Sequence, residues 1–143
     1  MDEYGRTPLW YHALNGDVAG LRAELDRGAD ASFGDDASYS PLHAAVQQGR
    51  VEVIRVLLAA GAEPNKVDNH GNSPLWTAVL SAPRAVQIEI ITALLAAGAD
   101  SDHKNRAGRS PRGVATEIGH GLEVPFASPV VRQAEPGAAP DRG

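Results

Sequence analysis

Five histidines, His12, His43, His70, His103 and His120, are the side chains of this 143-residue chain most suited to chemistry at neutral pH. Together with carboxylates they could hold a divalent cation or relay a proton. Their spacing favours neither. No two histidines stand four residues apart, the separation that would put both on one face of a helix. The run Asp100-Ser101-Asp102-His103 has the composition of a ligand cluster, but it falls in a polar segment of a kind that recurs along the chain, where a solvated turn is expected. His43 follows a Pro-Leu pair and is expected to brace a turn with a hydrogen bond. With no cysteine there is no thiolate metal site, disulfide or sulfur nucleophile. Nor does the chain carry a Gly-x-Ser-x-Gly elbow, a lysine-bearing phosphate loop or a His-Glu-x-x-His pair. The sequence predicts no catalytic residue, no metal and no cofactor, hence no enzyme.

The elements behind these residues are repeats. Thr7-Pro8-Leu9, Ser40-Pro41-Leu42, Ser73-Pro74-Leu75 and Ser110-Pro111 recur, their prolines 33, 33 and 37 residues apart. Gly28-Ala29-Asp30, Gly61-Ala62-Glu63 and Gly98-Ala99-Asp100 follow the same period. So do Asp2, Asp35, Asp68 and Asn105, six residues before each proline, and Gly5, Ser38, Gly71 and Gly108, three before it. A hydroxyl residue before proline is a helix start: the side chain caps free N–H groups, and proline has none to leave unpaired. Leu42 to Val46 then form a small-residue helix ended by Gly49. Val51 to Ala60 form a second, with Val53, Ile54, Leu57 and Leu58 on one stripe and Gly61 as its left-handed terminus. The unit is helix, turn, helix, β-turn.

These residues resemble the ankyrin repeat, most fully from Asp35 through Ser40-Pro41-Leu42-His43-Ala44-Ala45 to Gly61-Ala62. The resemblance implies an all-α ankyrin-repeat solenoid, three full repeats plus a truncated C-terminal capping repeat, joined by β-turn fingers. The repeats are expected at about 2–34, 35–67, 68–104 and 105–126, forming one domain over 1–126. Residues 127–143, with scattered proline, glycine and alanine, are expected to be a disordered tail. Ser38 departs from the family pattern, which has glycine there; a positive φ would strain it. Four extra residues in the third repeat fall around Ser81 to Val86, where Pro83 should stop the first helix and leave a loop. Gly119, Gly121 and Pro125 should cut short the second helix of the fourth repeat.

A net charge of −5 and a pI near 5.4 argue against a nucleic-acid partner. No uncharged apolar run approaches the ~20 residues of a spanning helix, so no membrane is expected. The start, Met1-Asp2-Glu3-Tyr4, lacks the basic and apolar regions of a secretory signal, which predicts a cytoplasmic protein. The 11 arginines against two lysines suggest a GC-rich bacterial genome.

What remains for function is a surface. By the resemblance, the fingers and first helices build a concave face that takes a protein partner, the chain itself being monomeric. Six of seven aromatics lie in fingers or first helices, and none is expected in the second helices; aromatics and arginines dominate interface hot spots. The expected partner-binding residues are Tyr4, Arg6, Asp36, Tyr39, Asn69, His70, Asn72, Arg106 and Arg109 on the fingers. On the first helices they are Tyr11, Leu14, Gln47, Gln48, Trp76 and Leu80. Trp10 and Trp76 occupy the position of His43 and could equally fill space between repeats. The start Asp2-x-x-Gly5-Arg6-Thr7-Pro8-Leu9, the Gly71-Asn72-Ser73-Pro74-Leu75-Trp76 repeat with its insertion and the closing Ser110-Pro111-Arg112 also resemble small bacterial ankyrin-repeat immunity proteins. That likeness implies an inhibitor that blocks a cognate toxin or other enzyme. The alternative is an adaptor that bridges two proteins.

Overall fold

A computed structural model describes residues 1–127; the expected tail, but for its first residue, lies outside the described residues. Eight α-helices occur among them: α1 (Pro8–Asn15), α2 (Val18–Asp26), α3 (Pro41–Gln48), α4 (Val51–Ala59), α5 (Pro74–Ser81), α6 (Gln87–Ala96), α7 (Pro111–Ile118) and α8 (Val124–Ala127). Each odd-numbered helix starts at its repeat's proline. Thr7, Ser40, Ser73 and Ser110 cap them, accepting the N–H of Trp10, His43, Trp76 and Gly113. The fold is all-α, a stack of helix pairs.

Two layers result. The first helices touch in the order α1, α3, α5, α7 and the second in the order α2, α4, α6, α8. Ala45, Ala78 and Ala115 hold equivalent positions in the first layer and are fully buried, so neighbouring helices approach closely. Between the layers runs one continuous apolar core, from Leu9 through Ile54, Leu57, Leu75 and Leu94 to Leu122 and Phe126. The ends turn polar. His12 stands where those alanines do and pairs with Asp17 at 3.2 Å, while Glu24 stands where Leu57 and Leu94 do. A stack end facing water needs such replacements.

The insertion takes a defined path. Ala82 is extended (φ −64°, ψ 144°), Pro83 follows, and a 3₁₀ turn over Arg84–Val86 leads into α6. Helices α1 and α3 end on a left-handed glycine, Gly16 and Gly49; after α5 Gln87 substitutes, its buried amide donating to the carbonyls of Ala78 (3.0 Å) and Val79 (2.9 Å). On the other side Pro83 and Val86 lie against Gly49, where a Cβ would come within 2.7 Å of Pro83 Cγ. Thus Gly49 is required twice, for its φ of 73° and for this contact.

Two details differ from expectation. Pro125 sits in the first turn of α8, so it begins the short helix; Gly119 and Gly121, both at positive φ, delay its start. Phe126 also lies in α8, so the second helices do hold one aromatic, buried at the end of the core.

Ser38 has φ 61°, matching Gly5, Gly71 and Gly108 at 75°, 77° and 79°. Left-handed backbone costs a residue with a Cβ roughly 1–2 kcal/mol, part of which glycine returns through its freer unfolded chain. Ser38→Gly should therefore stabilise the protein by about 0.5–1 kcal/mol, raising Tm by about 3 °C. A thermal melt followed by circular dichroism checks this, and an unchanged or lower Tm would show that the serine is not strained.

Candidate protein-binding face

Each finger is built the same way. An Asx residue six before the proline folds the chain over its own side chain. Asp2 Oδ1 accepts the N–H of Tyr4 and Arg6, Asp35 those of Ala37 and Tyr39, Asp68 those of His70 and Asn72, and Asn105 those of Ala107 and Arg109, all at 2.8–3.0 Å. One backbone hydrogen bond then joins each finger to the next: Asp36 N–H to Tyr4 O (2.9 Å), Asn69 N–H to Ala37 O (3.0 Å) and Arg106 N–H to His70 O (3.1 Å). The carboxylates of these turns are occupied by the fold.

A second set of bonds ties helix to finger. His43 Nδ1 accepts the Ser40 N–H (3.1 Å), so Nε2 must carry the proton that bonds Asn72 O at 2.8 Å. The Ser40 hydroxyl lies 2.7 Å from the same Nδ1. Burial pushes this imidazole below the usual histidine range. In the first repeat Trp10 takes over the role, its indole N–H donating to Tyr39 O at 2.9 Å. Trp10 is therefore a buried brace. Trp76, half-buried, packs against the core in the third repeat.

What the frame leaves outward is the candidate surface. The two tip residues of every finger are exposed: Glu3 and Tyr4, Asp36 and Ala37, Asn69 and His70, Arg106 and Ala107. None of these side chains is needed for the backbone bonds between fingers. Charge changes in order along the first of these rows, from Glu3 and Asp36 through neutral Asn69 to Arg106.

Several predicted residues gather at the first finger. The Arg6 guanidinium lies 4.9 Å from the Tyr4 ring, 4.5 Å from Trp10 and 6.0 Å from Tyr11, with its Nε 3.5 Å from Asp35 Oδ2. Such a cation held by aromatic faces is stabilised electrostatically. The Tyr11 hydroxyl donates to Asp2, and this bond chiefly holds the Asp2 carboxyl below its ordinary range. Tyr39 is half-buried, its ring 4.8 Å from His43 and its hydroxyl donating to Gln47 at 3.2 Å; burial raises its pKa. Arg109 pairs with Glu117.

The rest are spread out. Gln48 and Leu80 are exposed on α3 and α5, and Leu14 is half-buried on α1. Asn72 is engaged by the fold, its carbonyl by His43 and its side-chain oxygen by Asn105 Nδ2 at 2.9 Å. Sequence reasoning passed over Arg84, Ile88 and Ile118, which the structure brings to Leu80 around one cleft. The only sequence signal for it is the insertion. Among the described residues no group of three or more His, Asp or Glu is placed to hold a metal ion, and no helix is long and apolar enough to cross a membrane.

A family model described as ankyrin repeats, in three copies, matches residues 9–105. Similar curated proteins are varied. The chain is 42% identical over 60 residues to the 2-5A-dependent ribonuclease of Mus musculus, covering 41% of this chain and 8% of that protein. It is 34% identical over 76 residues to serine/threonine-protein kinase 12 of Arabidopsis thaliana, covering 53% and 17%. It is 39% identical over 77 residues to zygote-specific protein 3 of Chlamydomonas reinhardtii, covering 54% and 20%. The chain thus spans a fifth or less of the length of these relatives.

Proposed function

This chain belongs to the ankyrin-repeat family, and on that footing we propose that it is a non-enzymatic protein-binding module working through its fingers and first helices. The observation that carries this reading is the row of eight exposed tip residues on a frame fixed by backbone bonds. Exposed side chains that the backbone bonds between fingers do not use, graded in charge from Glu3 and Asp36 to Arg106, suit a partner that presents the opposite gradient. His43 is engaged by its brace, and Asp35 and Asp68 by the finger turns. Two of the relatives are enzymes by name, but the matches cover 8% and 17% of their lengths, so their activities are not carried over.

We further propose that the binding is inhibitory, the chain blocking a cognate toxin or other enzyme. One face is enough to occlude a cleft, and about 800 Å² per partner makes a standard specific interface. The domain assigned to this role is residues 1–126.

A tagged pull-down with mass spectrometry tests the proposal, using Tyr39→Ala, Leu80→Ala, Arg109→Ala as a combined variant. All three side chains are at least partly exposed, so circular dichroism should show an intact helical fold. A stoichiometric protein partner bound at least tenfold more weakly by the variant is the expected result. A partner held equally well would place binding elsewhere. Suppression of the isolated partner's toxicity or activity by the chain then tests inhibition.

A further inference from the structure

Three of the exposed large apolar side chains meet at one place. Leu80 at the end of α5 (50% exposed), Ile88 on α6 (44%) and Ile118 at the end of α7 (38%) line a cleft of about 240 Å³, floored by Leu122 and edged by Arg84 and His120. Scattered exposed aliphatics need no explanation; a cluster around a concavity does. The volume is below the ~300 Å³ at which small-molecule sites begin, and suits one large side chain.

The walls are held before anything binds. Gln87 fixes the insertion to the end of α5 through two hydrogen bonds, and Pro83 rests on Gly49. A preformed cleft avoids ordering costs on association. The nearby acids are occupied: Glu117 pairs with Arg109 and Glu89 with Arg55. Arg84 has no acidic partner among the described residues, which leaves the rim positive. Leu80 also stands in the first-helix row Leu14, Gln47, Leu80 and Glu117, so the cleft continues the binding face.

We propose that this cleft takes one aliphatic or aromatic anchor side chain from the protein partner, with an Asp or Glu within two residues of it paired to Arg84. The proposal rests on the reading of the finger face as a protein-binding surface and adds the chemistry of the segment that docks there.

Panning a phage library of random 12-residue peptides on the full chain tests it. Enriched peptides should combine an apolar residue with a neighbouring acid. A synthetic peptide of that consensus, followed by ¹⁵N chemical shifts, should move amides between 80 and 88 and between 118 and 122. Its affinity should fall at least tenfold in a Leu80→Asn, Ile118→Asn variant and at least fivefold in Arg84→Glu. A lysine version of the peptide should recover binding to Arg84→Glu. Both substitutions in the double variant are at exposed positions, and circular dichroism controls for folding. Absence of such a consensus, or equal binding to the double variant, overturns the proposal. If the enriched peptides instead lose binding only with Tyr39→Ala and Arg109→Ala, the cleft assignment falls while the finger-face reading stands. If removing residues 128–143 moves the same cleft amides, the chain's own end fills the cleft and the proposal is again overturned.

Discussion

His43→Ala should lower the free energy of unfolding by about 3–4 kcal/mol, a large part of the 5–15 kcal/mol that holds a typical domain. The side chain is fully buried. Its loss would strand the Asn72 carbonyl and the Ser40 N–H, at about 1–3 kcal/mol for each group left unsatisfied, and open a cavity beneath Tyr39. The finger of the third repeat would lose its tie to α3. Urea unfolding followed by circular dichroism measures the effect, and a change below about 1 kcal/mol would mean the brace is dispensable.

The same residue sets a pH dependence. His43 is neutral when folded, because burial disfavours its charged form and because Ser40 presents an N–H to Nδ1. In the unfolded chain it titrates near 6.5. Its contribution is therefore fully present above that pH, and is lost as pH falls below it, where the unfolded state binds the extra proton. The variant lacks this term, so the stability gap between wild type and His43→Ala should narrow from pH 7.5 to 5.5. A constant gap would show that the imidazole protonates without cost in place.

Leu57→Ala is expected to cost about 3 kcal/mol and lower Tm by about 10 °C. Leu57 is fully buried on α4, which packs against both α2 and α6. Repeats contact only their neighbours, so a cavity in the second repeat weakens the docking of the first from one side and the third from the other. Amide exchange should accelerate most in α1 and α2, which have a neighbour on one side only. Leu122→Ala, at the far end of the core, should cost about half as much and leave α1 and α2 unchanged. Equal exchange changes along the whole chain would indicate a single unit instead of a stack.

Much of this was readable in the sequence because a repeat states its own frame. Ser40-Pro41 and its counterparts mark helix starts to the residue, since cap and proline must be adjacent. Ser38's unusual φ followed from its register with three glycines. The sequence leaves Trp10 between filling space and contacting a partner; its bracing bond depends on the position of Tyr39 O, 29 residues away. Proline serves the first turn of a helix as well as its interruption, so residue type alone does not tell that Pro125 starts α8 instead of stopping a helix. The cleft was invisible for a different reason. Leu80, Ile88 and Ile118 belong to three helices, and the path of Ala82 to Val86 that gathers them depends on Gln87 and Gly49, which the periodic pattern does not mention.

The bonds from Asp36 to Tyr4, from Asn69 to Ala37 and from Arg106 to His70 run from main chain to main chain. The spacing from one fingertip to the next is therefore a property of the polypeptide and not of the letters written on it. Mutation at those eight tips can rewrite the message while the line spacing holds. Such a chain can drift from one partner to another by single substitutions, each intermediate still folded, and a pair of co-evolving molecules can revise its terms without either one having to be rebuilt.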